Sequence, residues 1–270
     1  MSITGHESAF GAACEATQIP DAVLAAADAS GKFRYIKAFG KTARGEELSM
    51  DSVMLMGGCT NLMTTVAVCL SQYQRIKVDS EPDRSYIDLI SGALTFQPGA
   101  SWTYSPGLGW AGKLVERVSN LPLEAYMRTN IWDPLGMRHC ANDGRVLEPS
   151  LVDEMLRPQL GSKGKASLNQ AAQNVDSFRL TFGQAFDMDT QSLDGGLGGE
   201  IGLMNEIGFQ RAGTMAWFGL PNTLAWIDKE SGLCGVYFSQ LLPMGDAKVK
   251  ELAKLFQQAV YQTYGEFRAT

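Results

Sequence analysis

The chain has 270 residues, 45% of them hydrophobic and 19% charged, and carries a net charge of -6. That length accommodates one large domain or two small ones, with enough apolar residues for a sizeable core. The acidic balance, without any cluster of Lys and Arg, argues against nucleic acid as a partner, because a phosphate backbone is held by grouped cations. The longest mainly apolar stretches, Ala22 to Ala27 and Leu62 to Leu70, are far shorter than the ~20 residues a membrane helix needs. The opening MSITGHESAF has no basic stretch followed by an apolar core, so no secretory leader is expected and the protein is placed in the cytoplasm.

In chain order, the first expected elements form a hairpin, with Ala22–Ala27 and Phe33–Phe39 as alternating strands around the turn at Asp28–Gly31. A helix is expected from Thr60 to Gln74, with Leu62, Val66 and Leu70 on one face. Val78 to Phe96 reads as loop and short helix. Trp110–Ser119 reads as another helix, and Pro122 opens a third that ends before the Asp133-Pro-Leu-Gly136 break. From Arg138 to Phe186 the chain is polar and weakly periodic, with a short helix near Ser150–Leu156 as its one clear element. Asp194-Gly-Gly-Leu-Gly-Gly199 is glycine-rich, but Ile201 to Met204 reads as a strand, which is the wrong context for a phosphate loop. Three strands follow, at Thr214–Leu220, Leu224–Asp228 and Leu233–Ser239. Asp246 then caps a helix to Tyr264, striped by Val249, Leu252, Leu255, Phe256 and Val260. Both chain ends should thus build one antiparallel sheet, with the helices on its faces or in a separate lobe.

The five cysteines (Cys14, Cys59, Cys69, Cys140 and Cys234) are odd in number and widely spaced, and with only His6 and His139 they form no zinc-binding pattern. Reduced thiols in a core are expected. His6 is expected in a mobile terminus and His139 after a turn, which leaves no natural place for a histidine-dependent hydrolase.

Several segments resemble a known family. Met54-Leu-Met-Gly-Gly-Cys-Thr-Asn61 with the apolar run to Val68 looks like the Ser-x-x-Lys helix start of serine β-lactamases, penicillin-binding proteins and their relatives. Phe96-Gln-Pro-Gly-Ala-Ser-Trp-Thr-Tyr-Ser105 resembles the segment that carries the family's tyrosine. Trp110–Val118, Ile131–Met137, Trp217-Phe-Gly-Leu-Pro-Asn222 and Trp226–Asp228 continue the match in the family's order. The resemblance covers nearly the whole chain and is closest to fungal polyketide acyltransferases of the lovastatin type and to β-lactamase-like esterases.

The resemblance implies a β-lactamase/transpeptidase-like α/β (α+β) fold, an antiparallel sheet flanked by helices. It is expected as a single domain over 1–270, with the sheet region from 20–57 and 195–270 and a shortened helical lobe over 58–194. Such a site works by a helix-borne serine that attacks an acyl carbonyl, a lysine three residues on that relays its proton, a tyrosine that shares it, and backbone N–H groups that receive the oxyanion. Here the serine position falls on Gly58 and the lysine position on Asn61. Glycine offers no nucleophile, and an amide neither titrates nor abstracts a proton near neutrality. Tyr104 is kept. Gly58 and Tyr104 lie 46 positions apart, fewer than the family implies, with shortening expected before Phe96 and again after Cys140.

Cys59, beside the vacated position, is a rescue nucleophile only if its thiol turns into the cleft; one helical residue rotates it by about 100°, toward the core. Tyr104 could act as acid or base, or donate a hydrogen bond to a carbonyl. Trp217, Phe218, Gly219 and Ser105 are the expected substrate-lining residues, with bulky Phe218 narrowing the cleft; Ser105 has no base adjacent in sequence. Two functional classes follow. One is an acyltransferase or ester hydrolase of secondary-metabolite biosynthesis, or a non-covalent isomerase or cyclase in the same pocket. The other is a pseudoenzyme that binds a small apolar acyl or polyketide ligand, or a protein partner. Neither a metal nor an organic cofactor is implied.

Overall fold

Residues 3–71, 88, 91, 93–136, 147 and 149–269 are described in the computed structural model. Asp21–Asp28 (β1) and Arg34–Gly40 (β2) pair antiparallel from Asp21↔Gly40 to Ala27↔Arg34. Asp28 holds their turn: its Oδ1 accepts from the Phe33 N–H at 3.0 Å and its Oδ2 from Ser30 Oγ at 2.6 Å. Five more strands, Leu193–Gly195 (β3), Glu200–Gly202 (β4), Met215–Gly219 (β5), Thr223–Asp228 (β6) and Leu233–Phe238 (β7), complete an antiparallel sheet in the order β2-β1-β7-β6-β5-β4-β3. The β1–β7 pairing, Val23↔Phe238 to Asp28↔Leu233, joins the two chain ends as the sequence predicts.

Alternation along the inner strands buries one sheet face. Leu24, Phe218, Leu224, Trp226 and Tyr237 lie on it. The long C-terminal helix Ala247–Ala269 (α8) buries Val249, Leu252, Phe256 and Val260, spaced to share one side, and Phe256 meets Trp226 edge-on at 5.7 Å between ring centroids. Each large side chain so buried stabilises by roughly 1.5–3 kcal/mol. Asp246 caps this helix, accepting from the Lys248 and Val249 N–H groups at 2.9 Å each.

The N-terminus corrects an expectation. His6 is half-buried in a 3₁₀ turn (Ile3–His6) that leads into helix Glu7–Glu15 (α1), not in a loose tail. Ile3 is buried with its N–H donating to Thr263 Oγ1 at 2.9 Å, and Phe10 stacks on Phe39 at 5.4 Å.

Contacts divide the chain into two compact units, one of residues 1–59, 168–195 and 199–270, the other of 60–167 and 196–198. Residues 168–195, expected in the helical lobe, therefore fall in the sheet unit. The helical unit contains Thr60–Ser71 (α2), Gly107–Ser119 (α3), Leu123–Met127 (α4, continued by a π turn to Trp132) and Pro149–Met155 (α5). Ala67, Val115, Tyr126 and Ile131 form its core. Two further helices, Ser162–Asn174 (α6) and Asp176–Phe182 (α7), are absent from the sequence reading. Gln74, His139 and Cys140 lie outside the described residues, with most of the Val78–Phe96 stretch and the segment where the second shortening is expected.

Strand β4 places Glu200 on the buried face, opposite Ala216, and leaves it 3% exposed. Its Oε2 has no hydrogen-bond partner among the described residues. Burial first, and the charge of nearby Asp194 second, push its pKa from 4.5 up to about 8. The folded chain therefore keeps a proton that the unfolded chain releases above about 4.5, so stability is complete below that pH and lost as pH rises toward about 8. Urea unfolding should show stability falling with a slope approaching about 1 kcal/mol per pH unit in that window, and Glu200→Gln should flatten it; an unchanged slope in the variant would place the proton elsewhere.

Candidate active site

Gly58, expected at the family's serine position, sits where backbone meets backbone. Gly57–Cys59 forms a 3₁₀ turn docked on the end of β5 and the start of β6. A Cβ placed on Gly58 would overlap the Phe218 carbonyl oxygen and lie 3.1 Å from Trp217 Nε1. Gly57, at φ +56°, would put its Cβ 2.9 Å from the Leu220 nitrogen. On the strand side, a Cβ on Gly219 would overlap Met56 O and Thr223 Oγ1 and reach the Gly58 nitrogen at 3.1 Å. Thr223 fastens the turn, donating from Oγ1 to Met56 O at 2.8 Å. Glycine at 58 and 219 is thus required by space alone, since neither has an unusual φ.

Cys59 turns into this same knot and away from solvent. It is 2% exposed, with Sγ 3.4 Å from Thr223 Oγ1 and 3.6 Å from the Trp217 carbonyl. Burial pushes the thiol pKa up to about 11, against a smaller lowering by the Thr223 hydroxyl. A nucleophilic cysteine needs the opposite, an accessible thiol with a lowered pKa.

Phe218 corrects a second expectation. Successive strand residues point to opposite faces, so Phe218, 5% exposed, enters the core and meets Phe182 of α7 at 5.8 Å between ring centroids. Its carbonyl meets the Gly58 turn, and its ring narrows no cleft. Trp217 and Gly219 share the other face, Trp217 half-buried. Asn222, in the turn after them at φ 59°, is fully buried. Its Nδ2 donates to Leu241 O and Pro243 O at 2.8 Å each, and its Oδ1 accepts from the Gly245 N–H at 2.8 Å. That makes it a structural clamp between the β5–β6 turn and the approach to α8.

In the helical unit, Tyr104 is 60% exposed in the segment before α3, with Ser105 also exposed beside it. The segment is tied two residues upstream, where Ser167 Oγ of α6 donates to Trp102 O at 3.3 Å and lies 2.7 Å from Ser101 Oγ. Asn61, half-buried in the first turn of α2, lines a cavity of about 400 Å³ with Thr60, Thr64, Gly112, Lys113 and Glu116. Lys113 and Glu116 were not singled out as site residues from sequence. The available signal was an oppositely charged pair three apart on α3, facing the Thr60/Thr64 pair four apart on α2. Among the described residues no group of three or more His, Cys, Asp or Glu is placed to hold a metal ion, and no helix is long and apolar enough to cross a membrane.

The antiparallel sheet, its covering C-terminal helix and the helix start at residue 60 are the arrangement of serine β-lactamases and transpeptidases. Residues 86–148 match the beta-lactamase family model. The chain has a β-lactamase-like fold. Its sequence is 25% identical to monacolin J acid methylbutanoyltransferase of Aspergillus terreus, over 96% of this chain and 95% of the transferase. It is 24% identical to lovastatin esterase of Penicillium rubens, over 97% and 99% of the two chains. The solved structure of a simvastatin synthase mutant from Aspergillus terreus superposes with a TM-score of 0.79 at 25% identity, covering 98% of this chain and 99% of that one. The match to the transferase runs over 397 positions, of which 96% of 270 residues fills only about 260. More than 100 positions of that relative therefore have no counterpart here.

The geometry predicts that iodoacetamide at pH 7 leaves Cys59 of the native chain unmodified and alkylates it only in urea, as peptide mass spectrometry would read. Alkylation of Cys59 in the folded chain at the rate of a free thiol would mean that the turn opens.

Proposed function

We propose that this β-lactamase-like protein holds a small apolar acyl or polyketide ligand without forming a covalent acyl-enzyme, a pseudoenzyme of secondary-metabolite biosynthesis. The observation that carries this reading is the contact of Gly58 with the Phe218 carbonyl: the position from which the family's nucleophile would project is filled by backbone. Acyl transfer through a covalent intermediate needs an activated side chain with a base within hydrogen-bond reach. Gly58 supplies no side chain, Asn61 supplies no base, and the Cys59 thiol is buried with its pKa raised. The ligand class comes from the relatives, whose names describe transfer of a methylbutanoyl group and hydrolysis of a lovastatin ester. Tyr104, exposed before α3, would serve such a ligand as a hydrogen-bond donor to its carbonyl.

Incubation with a fluorophosphonate or a β-lactam should leave the intact mass unchanged, and p-nitrophenyl butyrate should be hydrolysed no faster than by buffer. The double variant Gly58→Ser/Asn61→Lys, which restores both residue types, should gain nothing, because a serine Cβ has no room where the glycine sits. A stoichiometric adduct on any serine, or turnover in the natural chain that Tyr104→Phe abolishes, would overturn the reading.

A further inference from the structure

The cavity of about 400 Å³ in the helical unit lies against the first turns of α2, the middle of α3 and the start of α4. Its size is within the range that small-molecule sites occupy, roughly 300–1,000 Å³. Its polar lining is rich in donors. Thr60 and Thr64 bring hydroxyls from one side of α2, Asn61 brings an amide, and Lys113 brings an ammonium group with three N–H bonds. The single anion, Glu116, is committed to the fold. Its Oε1 accepts from the Leu123 N–H at 3.0 Å and so caps α4, which has no other side-chain cap, and its Oε2 accepts from Lys113 Nζ at 2.7 Å. That ion pair fixes where the ammonium points. Leu108, Leu123 and the bare faces of Gly109 and Gly112 complete the wall without polar groups.

We propose that this cavity binds a short-chain monocarboxylate, its carboxylate on Lys113 and the neighbouring α2 donors and its alkyl chain against Leu108 and Leu123. The site deepens the non-covalent reading by naming a ligand class, the free acid whose acyl group the relatives transfer or release. A monoanion with two acceptor oxygens matches one lysine flanked by neutral donors. A phosphate, near a charge of −2, would meet the Glu116 carboxylate with no second cation to offset the repulsion. A cationic ligand would meet Lys113. The floor of the cavity depends on Gly112: a Cβ there would lie 2.9 Å from Leu123 Cδ2 and 3.7 Å from Thr64 Cγ2, so larger side chains fill the space.

Titration calorimetry on the full chain with butyrate, butyramide and methyl phosphate tests this. Butyrate should bind saturably at one site, with butyramide and methyl phosphate each weaker by about tenfold or more. Lys113→Met should weaken butyrate by about tenfold and leave butyramide unchanged, while Lys113→Arg keeps butyrate binding. Because Lys113→Met also strips Glu116 of its partner, Gly112→Leu supplies an independent variant that fills the cavity and keeps both charges; it should abolish binding. Absence of saturable butyrate binding, equal binding of butyrate and butyramide, or binding that survives Gly112→Leu overturns the proposal. A chain that stays unlabelled by serine probes yet fails to bind butyrate would refute the carboxylate site alone and leave the non-covalent reading standing.

Discussion

The close approach of the Gly57–Cys59 turn to the β5–β6 edge is the constraint on which the sheet unit's functional end depends. Backbone atoms come together there because Gly58 and Gly219 carry no side chains, while Thr223 bridges across by donating to Met56 O and standing 3.4 Å from Cys59 Sγ. Asn222, one residue before Thr223, is locked by its own buried hydrogen bonds to the 241–245 loop. The same few residues therefore fix the β5–β6 turn, the loop that enters α8, and the Gly57–Cys59 turn. Buried polar groups satisfied in this way specify a single arrangement, because any shift would leave several of them unpaired at about 1–3 kcal/mol each.

That arrangement leaves no room for a Cβ at residue 58. A serine at residue 58 would need room for its Cβ and for the tetrahedral centre beyond it, and the Phe218 carbonyl stands there instead. The other features follow the same direction. The thiol at residue 59 is used for packing, the residue at 61 cannot take a proton, and Phe218 belongs to the core with Phe182. In the helical unit, the proposed ligand reading rests on an exposed tyrosine and a donor-lined cavity, neither of which requires a nucleophile.

Much of the scaffold was legible because its elements bury one side only. The two-residue alternation in 21–28 and 223–238 and the stripe along α8 encode faces, and faces are what periodicity reports. Helix α6 was not legible because its buried stripe is Gly164, Leu168 and Ala172, two small residues and one leucine among lysine, serine, asparagine and glutamine, which leaves a weak apolar signal. The N-terminal helix is short, and its anchor, Ile3 on Thr263, joins residues 260 positions apart, which no local pattern reveals. At the site, the expectation that Gly58 and Asn61 stand at the Ser and Lys positions came from residue types alone. The orientation of Phe218 could have been read as well, since strand alternation puts Trp217 and Gly219 on one face and Phe218 on the other. Closure of the turn against Phe218 was not visible, because it depends on which backbone atoms meet across 160 positions of chain.

The most direct measurement is the urea unfolding free energy of Gly58→Ala, a change that adds one methyl group and no chemistry. Gly58 has no positive φ, so an open turn would accept alanine and gain about 0.4–1 kcal/mol from the lower entropy of the unfolded chain. A turn packed against the Phe218 carbonyl must instead move it or the strand, at a cost of about 1–3 kcal/mol. The account predicts that loss, with the urea dependence unchanged. A neutral or stabilising alanine would contradict it, and would show that space for a nucleophile still exists at residue 58.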